Sequence, residues 1–132
     1  TFPQDASEMG AVAEARYLAF EKTEPTTLLP IKGASLQVFG ILGSLADGYS
    51  SRFVGGAALV ARLAPVDYHR FHFPDAGRIL ARSRERGPLH SVNPRALQAK
   101  GDILFTNERE ITLLETENFG LIAMIEVGAL MV

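Results

Sequence analysis

Residues Leu121–Val132 are apolar apart from Glu126, and no other run in the chain is as long without interruption. Spanning a bilayer takes about 20 apolar residues, so this run is too short to cross one. It has to be covered by protein. The spacing predicts a nearly continuous buried strand from Gly120 to Val132, with a bulge at Gly128. Because the run ends on an apolar residue, the chain is expected to continue beyond Val132 or to pack against a second polypeptide.

The remaining apolar runs are shorter and separated by turn residues. Residues 1–7 are turn-like, with Pro3 and Asp5. Ala11–Phe20 alternates as a strand would, although its alanines also allow a helix. Thr23–Thr27 is a polar turn around Pro25, followed by an extended piece, Leu28–Lys32, ending at Gly33. Ser35 is placed to N-cap a short helix through Leu42, with Leu36, Phe39 and Ile41 or Leu42 inward and Gly43 ending it. Asp47–Ser51 reads as a loop. Ala57–Leu63, after Gly55-Gly56, and Arg78–Arg82, closed by Gly87-Pro88, read as strands. So do Ile103–Asn107 and Ile111–Thr116, on either side of the polar stretch Asn107–Glu110. Many short strands with few helices predict a β-rich α+β fold of antiparallel strands.

The length, 132 residues, fits a single domain over 1–132, and 47% apolar with 21% charged residues fits a globular one. A net charge of −2 excludes a generally basic nucleic-acid binder. With no cysteine, disulfide frameworks, thiolate metal sites and thiol catalysis are excluded. No signal peptide is recognisable. The chain starts at Thr1 without an initiator Met, so it is expected to be a processed or trimmed piece, and a membrane segment before Thr1 stays open.

Chemistry concentrates in Leu63–Pro74, which holds His69, His72 and Asp67. On a helical turn the two histidines would share a face; on a strand they would point to opposite sides. Three readings stand: an aromatic-rich edge whose histidines only pack, a metal site using His69, His72 and a carboxylate, or acid–base chemistry by the imidazoles. The metal reading lacks a third ligand at a recognised spacing.

Ala64-Pro65-Val66-Asp67-Tyr68-His69-Arg70-Phe71-His72-Phe73-Pro74 resembles the signature of the phosphatidylserine decarboxylase family. Four further segments resemble family landmarks in the same order. Phe2-Pro3-Gln4-Asp5-Ala6 is similar to S-P-x-D-G. Pro30-Ile31-Lys32-Gly33 with Ser35-Leu36 is similar to the K-G-x-x-[YF]-S-L region. Leu89–Pro94 is similar to L-x-S-V-N-P. Asn107-Glu108-Arg109 matches N-E-R and is followed by Val127-Gly128-Ala129. The chain departs from the pattern with Phe2 for Ser and Ala6 for Gly. It also stops before the G-S-T element at which family proenzymes cut themselves. Leu42-Gly43-Ser44 is superficially similar to that element but lies far upstream, with Leu45 in place of Thr.

The resemblance implies a β chain, completed by a second (α) chain from the same precursor whose first Ser becomes a pyruvoyl group. It implies that His72 is the base for self-cleavage, with Asp5 and Asp67 orienting it in the manner of a Ser–His–Asp array. It implies that His69 serves decarboxylation, in which the pyruvoyl ketone takes up the substrate amine and acts as electron sink. His90 reads as structural and Asn93-Pro94 as turn chemistry. Arg78, Arg82, Arg84 and Arg86 read as a solvated strand face or as a surface for anionic lipid.

The implied activity is conversion of phosphatidylserine to phosphatidylethanolamine by a peripheral membrane enzyme that uses no metal. A cytoplasmic relative acting on a free, aromatic amino acid is the alternative, and a non-catalytic binding module is a remote one. A homo-oligomer stays open, and no nucleic-acid partner is expected.

Overall fold

The computed structural model describes residues 3–31, 34–100 and 102–130, with no side-chain placement for 28–31, 34–38 and 94. Among the described residues the strands form three antiparallel units. Strand β1 (Arg16–Phe20) pairs with β4 (Ala58–Arg62), and β2 (Leu28–Ile31) pairs with β3 (Ala34–Gln37). The third unit is a meander in the order β5 (Gly77–Glu85), β6 (Arg109–Thr116), β7 (Gly120–Val127). The helices α1 (Ala46–Tyr49), α2 (Pro94–Ala99) and α3 (Ile103–Thr106) are short, and 3-10 turns cover Val38–Leu45 and Ser50–Phe53. The expected β-rich α+β class is therefore observed.

The core lies between one face of the meander and the helical stretch 38–53. Leu42, Ile111 and Leu113 are buried there, and Phe39, Leu45, Ala46, Tyr49, Phe53, Ala81 and Ile125 pack around them. β6 is the central strand, and Ile111 and Leu113 are fully buried because the 38–53 stretch covers them from above while residues of the flanking strands close in at the sides. Gly43, at φ +54, interrupts the 3-10 stretch. A left-handed residue is cheap only for glycine. The turn aims the Ser44 N–H at the Glu85 carboxylate, 2.9 Å away.

Several boundaries differ from the sequence reading. Ser35 starts no helix, because Ala34–Gln37 pairs with β2, Ser35 opposite Pro30. Asp47–Ser51 is helical instead of a loop: Leu42, Leu45, Ala46, Tyr49 and Phe53 recur at helical spacing and all reach the core. Ile103–Thr106 is a helical turn, closed by the Asn107 N–H on the Ile103 carbonyl at 2.8 Å. Strand β1 begins only at Arg16, because the Tyr17 hydroxyl bonds both the N–H and the carbonyl of Ala13 and so bends the chain before it. Asn93-Pro94 starts α2 instead of forming a turn: Asn93 caps the Ala96 N–H at 2.8 Å, and proline occupies the first helical position.

β7 ends at Val127, with no bulge at Gly128, whose N–H instead donates to the Glu108 carbonyl. The strand is half-buried along Leu121–Val127, as befits the meander's edge. Phe2, Lys32, Gly33 and the end at Val132 lie outside the described residues.

Candidate active site

The segment between β4 and β5 has no regular structure from Leu63 to Ala76, so His69 and His72 share neither a helical face nor a strand. Asp67 builds its first turn. The Asp67 carboxylate accepts from the Ala64 N–H at 2.6 Å, and its own N–H donates to the Ala64 carbonyl at 2.9 Å. His69 Nε2 also lies 2.9 Å from that carbonyl. A carbonyl oxygen only accepts, so His69 Nε2 carries the proton and Nδ1 is the basic nitrogen of the neutral ring.

His72 is set the other way. Its Nδ1 lies 2.8 Å from the Phe73 carbonyl, so Nδ1 donates and Nε2 is the basic nitrogen. Its backbone N–H donates to the Val12 carbonyl at 3.0 Å, which fastens the loop to the N-terminal segment. Both rings are exposed. The same loop exposes Val66 at 93%, Tyr68 at 60% and Phe71 at 43%, apolar surface left for other material to cover.

Asp5 comes from the far end of the chain. Its carboxylate accepts from the Ser7 N–H and hydroxyl, both at 2.8 Å. The backbone hydrogen bond from Ser7, then the hydroxyl, holds the Asp5 carboxyl below its ordinary range. Asp5 lines a cleft of about 460 Å³ with Phe73, Pro74, Asp75 and Asn118. The N-terminal loop and the residues just after His72 therefore meet in one depression. Asp5 and Asp67 each tie down a local turn, and His72 Nδ1 is bound to a backbone carbonyl.

Asp75 is not among the candidates that the sequence offers. Its two carboxylate oxygens accept from the N–H and side-chain amide of Asn118, at 2.8 and 3.0 Å. The Asn118 backbone bond does most to keep its carboxyl below the ordinary range; burial opposes it, and the Asn118 side-chain amide adds to the lowering. A signal for it would have been an Asp directly after the His-Phe-Pro stretch, poised to cap a turn.

A second cluster gathers the other landmarks. The buried Asn107 side chain bonds the backbone of His90 and the carbonyl of Gly128. The Glu108 N–H donates to Pro88, and Glu108 pairs with Arg84. Arg109, 7% exposed, donates to the carbonyls of Ile41, Phe105 and Asn107. Burial pushes its guanidinium pKa down, while Glu85 pulls it up. This cluster is scaffold. Lys100 Nζ lies 3.4 Å from His90 Nε2 at its margin. Ser44 is likewise a tie, its hydroxyl 2.5 Å from the Glu85 carboxylate and 2.7 Å from the Ser83 hydroxyl. Of the arginine run, Arg78 pairs with Glu115 and Arg84 with Glu108.

Among the described residues, no three His, Asp or Glu side chains are grouped to hold a metal ion. No helix among them is long and apolar enough to cross a membrane.

The sequence model of the family described as phosphatidylserine decarboxylase matches residues 1–132. The chain is 38% identical over 128 residues to a phosphatidylserine decarboxylase proenzyme of Ruminiclostridium cellulolyticum, covering 97% of this chain and 42% of that protein. It is 36% identical over 131 residues to phosphatidylserine decarboxylase proenzyme 3 of Schizosaccharomyces pombe, covering 99% and 13%. It is 40% identical over 118 residues to a phosphatidylserine decarboxylase proenzyme of Chlamydia trachomatis serovar D, covering 89% and 38%. The chain spans less than half the length of these relatives.

Proposed function

The chain belongs to the phosphatidylserine decarboxylase family, and from that premise we propose that it is the β-chain part of a self-processing, pyruvoyl-dependent enzyme. The reaction is decarboxylation of phosphatidylserine to phosphatidylethanolamine by a protein held peripherally at a membrane. The observation that carries this reading is the pair of exposed imidazoles in one loop, fixed by backbone carbonyls in opposite tautomers.

His72 Nε2 takes the hydroxyl proton of the serine that begins the α chain, and Nδ1–H on the Phe73 carbonyl keeps the ring turned toward it. Asp5 and Asp67 supply negative charge that favours the imidazolium formed at that moment. The pyruvoyl group, once made, supplies the electron sink for loss of CO2. The loop's chemistry fits such a group: it offers two imidazoles and no lysine amine between Ala64 and Asp75 that would condense with a ketone. His69 works from Nδ1, because Nε2 stays on the Ala64 carbonyl in either protonation state. Protonated, it delivers a proton from Nδ1 to the carbon that has lost CO2. Val66, Tyr68 and Phe71, once covered by the α chain or by lipid, keep water away from that carbon.

The test is expression of the full-length protein. Two chains on a denaturing gel are expected, with turnover of phosphatidylserine in vesicles, loss of activity with hydroxylamine, and full activity in a chelator. A protein that stays in one chain and still turns over phosphatidylserine overturns the reading, as does loss of activity with the chelator.

A further inference from the structure

We propose that Asp75 and Asn118 form a clamp that positions the His72 imidazole, which makes Asp75 a positioning residue for the proton transfer assigned to His72; this rests on the function proposed above. The path between them is short. Asn118, in the β6–β7 turn, engages both oxygens of the Asp75 carboxylate. The next residue back, Pro74, is buried and has a ring-fixed φ. The residue before that is Phe73, whose carbonyl holds His72 Nδ1. Fixing Asp75 therefore fixes the acceptor that sets the ring's orientation and tautomer.

Two neighbouring contacts make the clamp a rigid anchor. The Glu117 N–H donates to the Ala76 carbonyl at 2.9 Å. Gly77 lets β5 lie so close that a Cβ there would overlap the Glu115 carbonyl. On the other side, the His72 N–H is bound to Val12. The three-residue stretch His72–Pro74 is thus held at both ends. The clamp also lines the cleft that contains Asp5. Because both Asp75 oxygens are spent on amide donors, the clamp's geometry is what matters and its charge is not.

That distinction sets the test, in the full-length protein, with the rate of chain cleavage as readout. Asp75→Ala removes the clamp and is expected to slow cleavage about 10²-fold, the cost of a misplaced catalytic group. Asp75→Asn is expected to stay within about threefold of wild type, since a neutral amide still accepts from the Asn118 N–H and donates to the flipped Asn118 amide. Asn118→Asp sets two carboxylates against each other and should be slow, and adding Asp75→Asn should restore the rate. The 15N shifts of the His72 ring should show loss of the Nδ1–H tautomer in Asp75→Ala and its return in the double variant. Asp75→Asn as slow as Asp75→Ala would show that charge, not the clamp, is needed. Failure of the double variant to recover, or wild-type cleavage by Asp75→Ala, would overturn the clamp while His72→Ala remains blocked. Wild-type cleavage by His72→Ala would instead bring down the underlying function, and the clamp with it.

Discussion

The side-chain amide of Asn107 makes both backbone hydrogen bonds of His90, accepting from its N–H at 3.2 Å and donating to its carbonyl at 2.8 Å. Its second amide hydrogen goes to the Gly128 carbonyl at 2.8 Å. A fully buried side chain thus does what a neighbouring strand would do. It joins the segment after β5, the start of β6 and the end of β7. Asn107→Ala leaves a part-buried N–H and two part-buried carbonyls without this partner, and such a loss costs about 1–3 kcal/mol for a buried group and less where water reaches it. Urea unfolding of the full-length protein should show a loss of roughly 3 kcal/mol. Asn107→Asp should cost at least as much, because a carboxylate would face two carbonyl oxygens.

A second expectation concerns acid. The hydroxyl and N–H of Ser44, with the hydroxyl of Ser83, hold the Glu85 carboxyl at about 2 against an ordinary 4.5. A carboxyl depressed on folding stabilises the fold above its unfolded pKa, and that contribution drains away as pH falls toward the folded one. The urea midpoint of the full-length protein should therefore drop between pH 4.5 and 2, more steeply in wild type than in Glu85→Gln. Parallel pH dependences for the two proteins would show that the carboxylate does not hold the Ser44 turn against β5.

The uneven legibility of the fold has physical reasons. β6 was readable because Ile111–Thr116 is a β-branched and aliphatic run bounded by polar residues. Ile103–Thr106 is ambiguous because three apolar residues and a threonine fit a strand or a buried helical turn equally well. The helical spacing from Leu42 to Phe53 and the cap-proline pair Asn93-Pro94 are helix signals, but glycines at 43 and 48 and the turn preference of Asn-Pro compete with them. The landmarks around Asp5, His69 and His72 were visible as a pattern. What they bond to was not: a carbonyl orients His72, and Asn118 lies 43 residues from Asp75. The first joins chain neighbours but depends on the backbone conformation of an irregular loop, and the second spans a distance that no local spacing encodes.

His72→Ala in the full-length precursor should leave the chain uncleaved over times in which wild type is complete, a loss of roughly 10²–10⁴ in rate for a missing general base. Asp5→Ala and Asp67→Ala should slow cleavage less. Asp5 is tied to Ser7 and Asp67 to Ala64, so removing either first loosens a turn. Gels of timed samples decide this. Equal rates for His72→Ala and wild type would mean that another group is the base.

His69→Ala should cleave itself normally and then decarboxylate poorly. The two imidazoles present different atoms, Nδ1 of His69 and Nε2 of His72, because their other nitrogens are committed to Ala64 and Phe73. A group acting on one hydroxyl proton has to lie within about 3 Å of it, and the proposed mechanism gives that place to His72. Removing His69 leaves the Ala64–Asp67 turn closed by its own two hydrogen bonds, so the fold and the cleavage step should survive. Turnover per processed chain should fall by roughly 10²–10⁴, as for loss of a general acid. His69→Gln should restore the bond to Ala64 but not the turnover, since an amide cannot deliver a proton. Recovery of turnover by the glutamine would reduce His69 to a loop fastener. Failure of both variants to cleave would mean that the two histidines share the processing step.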